Sequence, residues 1–189
     1  LYPTGRKYAT KITFQDQYCI LVRVKKYVFE MVNESATERF AILCATHCVF
    51  PLMIELVGDV GAGKTTFTRF FGRTLGISEP IQSPTFTINR TYELGKNRQL
   101  VHYDFYRLHD AGILHDELRE VAADADSIVI IEWASSVAAA LPKSRVIIEI
   151  SPTSELSRHF EVTANGDREI AMFDAIAGSL EEDRHVSTT

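Results

Sequence analysis

One run of eight residues, Gly58-Asp59-Val60-Gly61-Ala62-Gly63-Lys64-Thr65, constrains this chain more than any other feature. Gly58, Gly61 and Gly63 let backbone N–H groups turn inward around an anion, where side chains would obstruct the wrap. A helix starting directly after such a loop aims its unpaired N–H groups and the positive end of its dipole at the same anion. Lys64 then reaches the β and γ phosphates of a polyphosphate, the Thr65 hydroxyl is placed to ligate Mg²⁺, and Thr66 is placed to meet the α phosphate. Gly58 through Thr66, with Asp59, Val60 and Ala62 as the intervening loop residues, is therefore the expected nucleotide cradle.

The motif carries weight only inside a strand–loop–helix unit, and the flanking residues supply one. Leu52-Met53-Ile54-Glu55-Leu56-Val57 is a short apolar run of the kind that forms a buried parallel strand. From Lys64 the apolar spacing turns helical, with Phe67, Phe70, Phe71 and Leu75 inward and Gly76 as the C-cap. Upstream, residues 11–31 alternate loosely and predict two or three short strands, and Ser35-Ala36-Thr37-Glu38 reads as a capping box opening a helix over 36–48 that Pro51 ends. Downstream, Phe86, Ile88, Tyr92 and Leu94 alternate before a Gly95-Lys96-Asn97 turn and a strand near 100–103. A helix over 111–123, a buried strand over 127–131 ending at Glu132, strands over 146–150 and 158–164, an Asn165-Gly166 turn and a helix over 169–180 complete the pattern. Strands alternating with helices predict an α/β, three-layer P-loop NTPase fold with a mostly parallel central sheet and a local antiparallel hairpin over 86–103. Residues 27–180 form the expected ATPase domain, preceded by a basic extension over 1–26 and followed by a flexible tail over 181–189.

At 189 residues and 46% hydrophobic, the chain can bury one sizeable core. Its formal charge of −5 is uneven: residues 1–30 hold six Lys/Arg against two Asp/Glu, leaving an acidic body. That balance argues against nonspecific coating of a nucleic-acid backbone, without excluding action on RNA through a partner. No stretch approaches the roughly 18 apolar residues of a membrane span, and the basic N-terminus lacks a secretory pattern, so the cytoplasm is the expected compartment. Cys19, Cys44 and Cys48 cannot all pair, and Cys44-x-x-His47-Cys48 lacks the further ligands of a metal site.

A polyphosphate carrying Mg²⁺ needs carboxylates nearby. Glu132 ends the apolar strand 127–131 at the carboxyl edge of the sheet, where the glycine loop also lies; it is expected to bind metal or orient water, the alternative being a solvated strand end. Asp104 follows the strand 100–103, with His102 and Arg107 around it, and either joins the metal site or forms a local ion pair with Arg107. Thr85, in Ser83-Pro84-Thr85, either supplies a second hydroxyl to Mg²⁺ or belongs to an ordinary turn. Trp133 either packs over the nucleotide or fills core. The Asn-Lys-x-Asp signature that reads guanine has no match, which favours ATP by elimination.

Four ordered signals resemble one family: Gly58–Thr66 with Phe67, then Ser83-Pro84-Thr85-Phe86, then His102-Tyr103-Asp104-Phe105-Tyr106-Arg107-Leu108, then Ile131-Glu132-Trp133. Together with Glu34-Ser35-Ala36-Thr37 upstream they are similar to the bacterial TsaE proteins, formerly YjeE, over residues 27–180. The resemblance implies an ATPase with ATP and Mg²⁺ that works with TsaB and TsaD in placing threonylcarbamoyl on adenosine 37 of ANN-decoding tRNAs, meeting tRNA mainly through that complex. It implies Lys64, Asp104 and Glu132 as catalytic residues, Thr65, Thr85, Asp104 and Glu132 around the metal, and Trp133 as support for the nucleotide. Where many relatives follow the Glu-Trp pair with a proline and an acidic residue, this chain reads Ala134-Ser135-Ser136. A small-molecule kinase, a GTPase and a non-hydrolytic nucleotide-responsive module are the alternative functions.

Overall fold

The apolar run before the glycine loop becomes a strand, Leu52–Val57, the fourth of the seven that the described residues form in a single sheet. The computed structural model describes residues 22–108 and 114–186. In chain order its elements are β1 (Val24–Met31), α1 (Glu34–His47), β2 (Leu52–Val57), α2 (Lys64–Thr74), β3 (Asn89–Gly95), β4 (Arg98–Asp104), α3 (Leu114–Ala123), β5 (Ser127–Glu132), a 3-10 helix (Ala134–Ala140), β6 (Arg145–Pro152), β7 (Arg158–Asn165) and α4 (Asp167–Val186). The sheet runs β1-β7-β6-β2-β5-β4-β3. β4, β5, β2 and β6 are parallel, whereas β3 pairs antiparallel with β4, and β7 pairs antiparallel with both β6 and β1. The mixed α/β fold with a parallel centre and a hairpin at one edge is thus present.

Alternation along β2 divides its side chains between two cores. Leu52, Ile54 and Leu56 join an aromatic-rich core with Phe40, Phe67, Phe71, Phe160 and Phe173 under α1, α2 and α4. Met53 faces the other side, with Val101, Tyr103, Val129 and Ile131 packed against Leu118 of α3 and Val137 of the 3-10 helix. Among the described residues this second cover stops beyond β6: Lys26, Val28 and Glu30 on β1 are exposed, and His159, Glu161 and Thr163 on β7 are half-buried. The sheet is therefore three layers deep over β4, β5 and β2 and two layers deep at β7 and β1. No helix among the described residues is long and apolar enough to cross a membrane.

Several boundaries differ from the sequence expectation for local reasons. α1 is capped by Asn33, whose side chain accepts the Ala36 N–H at 2.9 Å, so Ser35 lies inside the helix and no Ser35–Glu38 box forms. The helix ends at His47, ahead of the cis Phe50–Pro51 bond. Of the two or three strands expected over 11–31, the described residues contain one, β1, and the part of that expectation on residues 11–21 lies outside the described residues. Because β1 starts at Val24, the last residues assigned to the basic extension belong to the sheet. Phe86 and Ile88 do not extend β3: the Pro84 carbonyl accepts the N–H groups of Thr87 and Ile88, closing a turn that leaves Phe86 83% exposed. The turn expected at Asn165-Gly166 is present, with Gly166 at φ 121° leading β7 into α4. α4 continues to Val186 past the expected stop at 180, through a stretch with no proline, and residues 187–189 lie outside the described residues. Gly76 does cap α2: its N–H reaches Arg73 O and the Ile77 N–H reaches Gly72 O, the paired bonds of a Schellman ending.

Candidate functional site

Strand order reverses at β2, whose neighbours β5 and β6 are entered from opposite sides, and in open α/β sheets a crevice forms at such a point. The glycine loop fills the carboxyl end of β2 there. Gly58 needs to be glycine on two counts, a φ of 146° and an Ile150 carbonyl oxygen that a Cβ would meet at 2.4 Å. Gly61 and Gly63 have open space around them, so only their φ values of 80° and 114° demand glycine. Gly63 is the N-cap of α2, no side chain caps that helix end, and its first turn holds no acidic residue. The helix therefore presents unpaired N–H groups and positive dipole to whatever enters the loop.

Lys64 is buried, with its Nζ donating to Gly58 O at 2.8 Å and Asp59 O at 3.0 Å. The same ammonium lies 3.9 Å from Glu132 Oε2 and 4.5 Å from the centre of the Trp133 ring. Trp133 holds a left-handed backbone at φ 60°, which carries the chain from β5 into the 3-10 helix and turns the indole toward Lys64 and the Tyr106 ring, 4.9 Å away. Residues Ala134-Ser135-Ser136 form the start of that 3-10 helix.

β4 and β5 set Asp104 opposite Glu132 as in-register partners at the carboxyl edge of the sheet. Both carboxylates are buried and held by polar donors. Glu132 Oε1 accepts from Thr65 Oγ1 at 3.3 Å and is 3.1 Å from His102 Nε2. A carboxylate can only accept, so the shared imidazole proton sits on Nε2. Asp104 Oδ2 accepts from Thr85 Oγ1 at 2.5 Å and from Ser83 Oγ, and Oδ1 accepts the Tyr106 N–H at 2.9 Å. Arg107 forms no ion pair with Asp104; its guanidinium lies 4.5 Å over the Phe86 ring.

These groups surround one cavity of about 440 Å³, lined among others by Val60, Gly61, Gly63, Lys64, Thr65 and Thr66 from the loop and helix and by Thr85, Asp104, Glu132 and Trp133 facing them. Ala62 is buried in the core instead, and Gly58 and Asp59 border a second hollow of about 400 Å³ beyond Trp133. Sequence reasoning did not assign Ser83 as a donor to Asp104, or His102 as a partner of Glu132. His102 was within reach, because residues two apart on a strand share a face and His102 precedes Asp104 by two. Arg158, whose Nε donates to Ala62 O at 2.9 Å, left no signal near the motif.

The donor set suits a magnesium polyphosphate. Hydroxyls of Thr65 and Thr85 and the carboxylates of Asp104 and Glu132 are all hard oxygen donors, the type Mg²⁺ takes alongside phosphate oxygens and water. Among the described residues no group of three or more His, Cys, Asp or Glu side chains is placed to hold a metal by itself, and Cys48 donates to Ala45 O. A divalent ion here would need ligands from a bound polyphosphate, and the uncapped start of α2 with Lys64 is where one fits.

Comparison with known proteins agrees with this architecture. The family model described as threonylcarbamoyl adenosine biosynthesis protein TsaE matches residues 31–160. The chain is 34% identical to the tRNA threonylcarbamoyladenosine biosynthesis protein TsaE of Bacillus subtilis, over 77% of this chain and 90% of that one. It is 37% identical to the protein of the same name from Streptomyces coelicolor, over 61% of this chain and 82% of that one. The solved structure of YdiB from Bacillus subtilis superposes with a TM-score of 0.69 at 29% identity, covering 82% of this chain and 97% of that one. With the model spanning most of the described sheet and relatives matched along nearly their whole length, the chain belongs to the TsaE family.

Proposed function

We propose that this chain hydrolyses ATP to ADP and phosphate in a Mg²⁺-dependent step that supports threonylcarbamoylation of adenosine 37 in ANN-decoding tRNAs, in a cytoplasmic complex with TsaB and TsaD. The observation that carries the hydrolytic part is convergence: the buried cation of Lys64, the open start of α2 and the carboxylates Asp104 and Glu132 all face one cavity. The biological part is supported by relatives named for threonylcarbamoyladenosine biosynthesis.

Lys64 and the N–H groups at the start of α2 supply the positive field that binds the β and γ phosphates and offsets charge gathering on the leaving ADP. Thr65, Thr85, Asp104 and Glu132 are the residues that would hold Mg²⁺, which would supply further charge neutralisation to the polyphosphate. Glu132 has its Oε1 occupied by Thr65 and His102, and its Oε2 faces the Lys64 ammonium. When Lys64 turns to phosphate, Oε2 is left to hold an attacking water and accept its proton. Ser83 and Thr85 fix Asp104 from a loop that carries the exposed Phe86, so a partner touching that loop reaches the carboxylate. Trp133 and Tyr106 wall the cavity against bulk water. Transfer of the threonylcarbamoyl group itself falls to TsaD.

The test is a reconstituted modification reaction with cognate TsaB and TsaD, with and without this chain, run beside ATPase assays of Lys64→Ala and Glu132→Gln. Lys64→Ala should weaken ATP binding, and Glu132→Gln should keep binding while hydrolysis falls by about 10²–10⁴-fold, the span of a lost acid–base group. Modification that turns over repeatedly without the chain would end the tRNA assignment. GTP hydrolysed in preference to ATP, or phosphate delivered to an acceptor other than water, would end the ATPase one.

A further inference from the structure

Arg158, the first residue of β7, makes an unusual set of bonds for a surface arginine. Its Nε donates to Ala62 O in the glycine loop at 2.9 Å. Its Nη1 donates to Ser154 O, Glu155 O and Ser157 O, at 3.1, 3.2 and 2.9 Å, in the turn between β6 and β7. Every one of these acceptors is a backbone carbonyl, and among the described residues no carboxylate lies within ion-pair distance of the guanidinium. We propose that Arg158 is a positioning residue for the phosphate site: it holds the Ala62–Gly63 peptide so that the Gly63 N–H faces into the cavity. This rests on the nucleotide-binding reading above and extends it to a residue some 100 positions from the motif.

The argument begins with the peptide plane. In a trans peptide the C=O of one residue and the N–H of the next point in opposite directions. A donor that fixes the Ala62 carbonyl therefore also fixes the Gly63 N–H, pointing away from Arg158. Gly63 lines the cavity, whereas Ala62 is 2% exposed and lies in the core on the other side. The peptide needs such a hold on its Gly63 side, where a residue without Cβ sits at φ 114° and leaves rotation about its N–Cα bond open, whereas on the other side Ala62 is buried and its own N–H donates to Asp59 O at 3.1 Å.

Lys64 restrains the other end of the loop through Gly58 O and Asp59 O. Those two bonds are lost when the ammonium turns to a phosphate. Arg158 has no such second task, so its bond to Ala62 O persists and keeps the loop shaped for the anion in both states. The same guanidinium ties the loop to the β6–β7 turn, which is also closed by the Thr153, Ser154 and Ser157 side chains and by the Thr153 and Ser154 N–H groups donating to Ser157 O.

The experiment compares the full chain with Arg158→Gln, Arg158→Lys and Ser154→Ala. Arg158→Gln should weaken ADP and ATP alike, by about tenfold to a hundredfold, the span of one lost charge-assisted hydrogen bond. Turnover at saturating ATP should stay within about threefold, since ground state and transition state lose the same contact. Without nucleotide, deuterium uptake at the amides of residues 61–66 should rise while β7 amides at 160–164 keep their protection. Arg158→Lys, which keeps a cation near Ala62 O, should recover part of the affinity. Ser154→Ala loosens the turn without touching Ala62 and should leave affinity unchanged. Affinity for ADP within twofold of wild type in Arg158→Gln, or an equal loss in Ser154→Ala, would overturn the assignment. If the wild-type chain bound no nucleotide, the ATPase reading would fall, and loop deuterium uptake would still decide the role of Arg158.

Discussion

Alanine substituted at the three loop glycines separates torsional strain from steric overlap. At Gly61 and Gly63 a Cβ meets nothing within 4 Å, so only the backbone conformation opposes it, at about 1–2 kcal/mol for a left-handed L-residue. At Gly58 the same kind of strain is joined by a contact of 2.4 Å with Ile150 O, against ordinary contact from 3.4 Å outward. That oxygen belongs to the backbone of β6 beside β2, so no side chain can rotate away to relieve the overlap. Making room requires the loop and β6 to part by about 1 Å, an overpacking cost of about 1–3 kcal/mol. Gly58→Ala should thus lose about 2–5 kcal/mol in urea unfolding, and Gly61→Ala and Gly63→Ala about 1–2 kcal/mol each. Because the loop is displaced, Gly58→Ala should also bind ADP more weakly. Equal unfolding midpoints for Gly58→Ala and Gly61→Ala, with equal slopes, would refute the reasoning.

Three further outcomes follow from described contacts. Trp133 is the chain's single tryptophan and its ring lies 4.5 Å from Lys64 Nζ, so ADP should change intrinsic fluorescence, and Lys64→Ala should alter the emission of the ligand-free chain. For Asp174, partial burial is the largest single influence and pulls its pKa up, but hydrogen bonds from Lys25 and Tyr27 and the charges of Lys25 and Arg23 outweigh it and hold the carboxyl below its ordinary value. Its contribution is therefore fully present above the unfolded pKa of about 3.9 and lost as pH falls through the folded one, so the stability gap between wild type and Asp174→Asn should be wider at pH 7 than at pH 3. Burial and the bond to Glu117 raise the Tyr103 phenol, which keeps its proton, so Tyr103→Phe should cost about 1 kcal/mol at neutral pH in urea unfolding.

What could be read from the sequence was local. The β2–loop–α2 unit carries its own punctuation, with apolar residues before the glycines, helical spacing after Lys64 and Gly76 at the close. β5 declares itself as a continuous apolar run, and once both strand ends are placed at the sheet's carboxyl edge, Asp104 and Glu132 fall near the loop. The misplaced boundaries have competing local chemistry as their cause: Asn33 outbids Ser35 as a cap, and the Pro84 carbonyl bends Phe86 out of the alternating pattern. What stayed hidden was long-range. The bonds from His102 to Glu132, from Ser83 to Asp104 and from Arg158 to Ala62 depend on which strands become neighbours, and β7 lies beside β6 and β1 by a topology that no spacing encodes.

That topology also dictates an order of events during synthesis. β1 leaves the ribosome before any other described element, yet among the described residues its one partner in the sheet is β7, with Val24 opposite Asn165. Some 140 residues must be made between them, which at translation rates of about 5–20 residues per second is roughly 7–28 s. Throughout that interval Tyr27 and Met31, both buried in the finished protein, have no strand to pair beside. The first of the described strands to be made is thus among the last of them to be enrolled, and until β7 follows it the nascent chain carries a sticky edge.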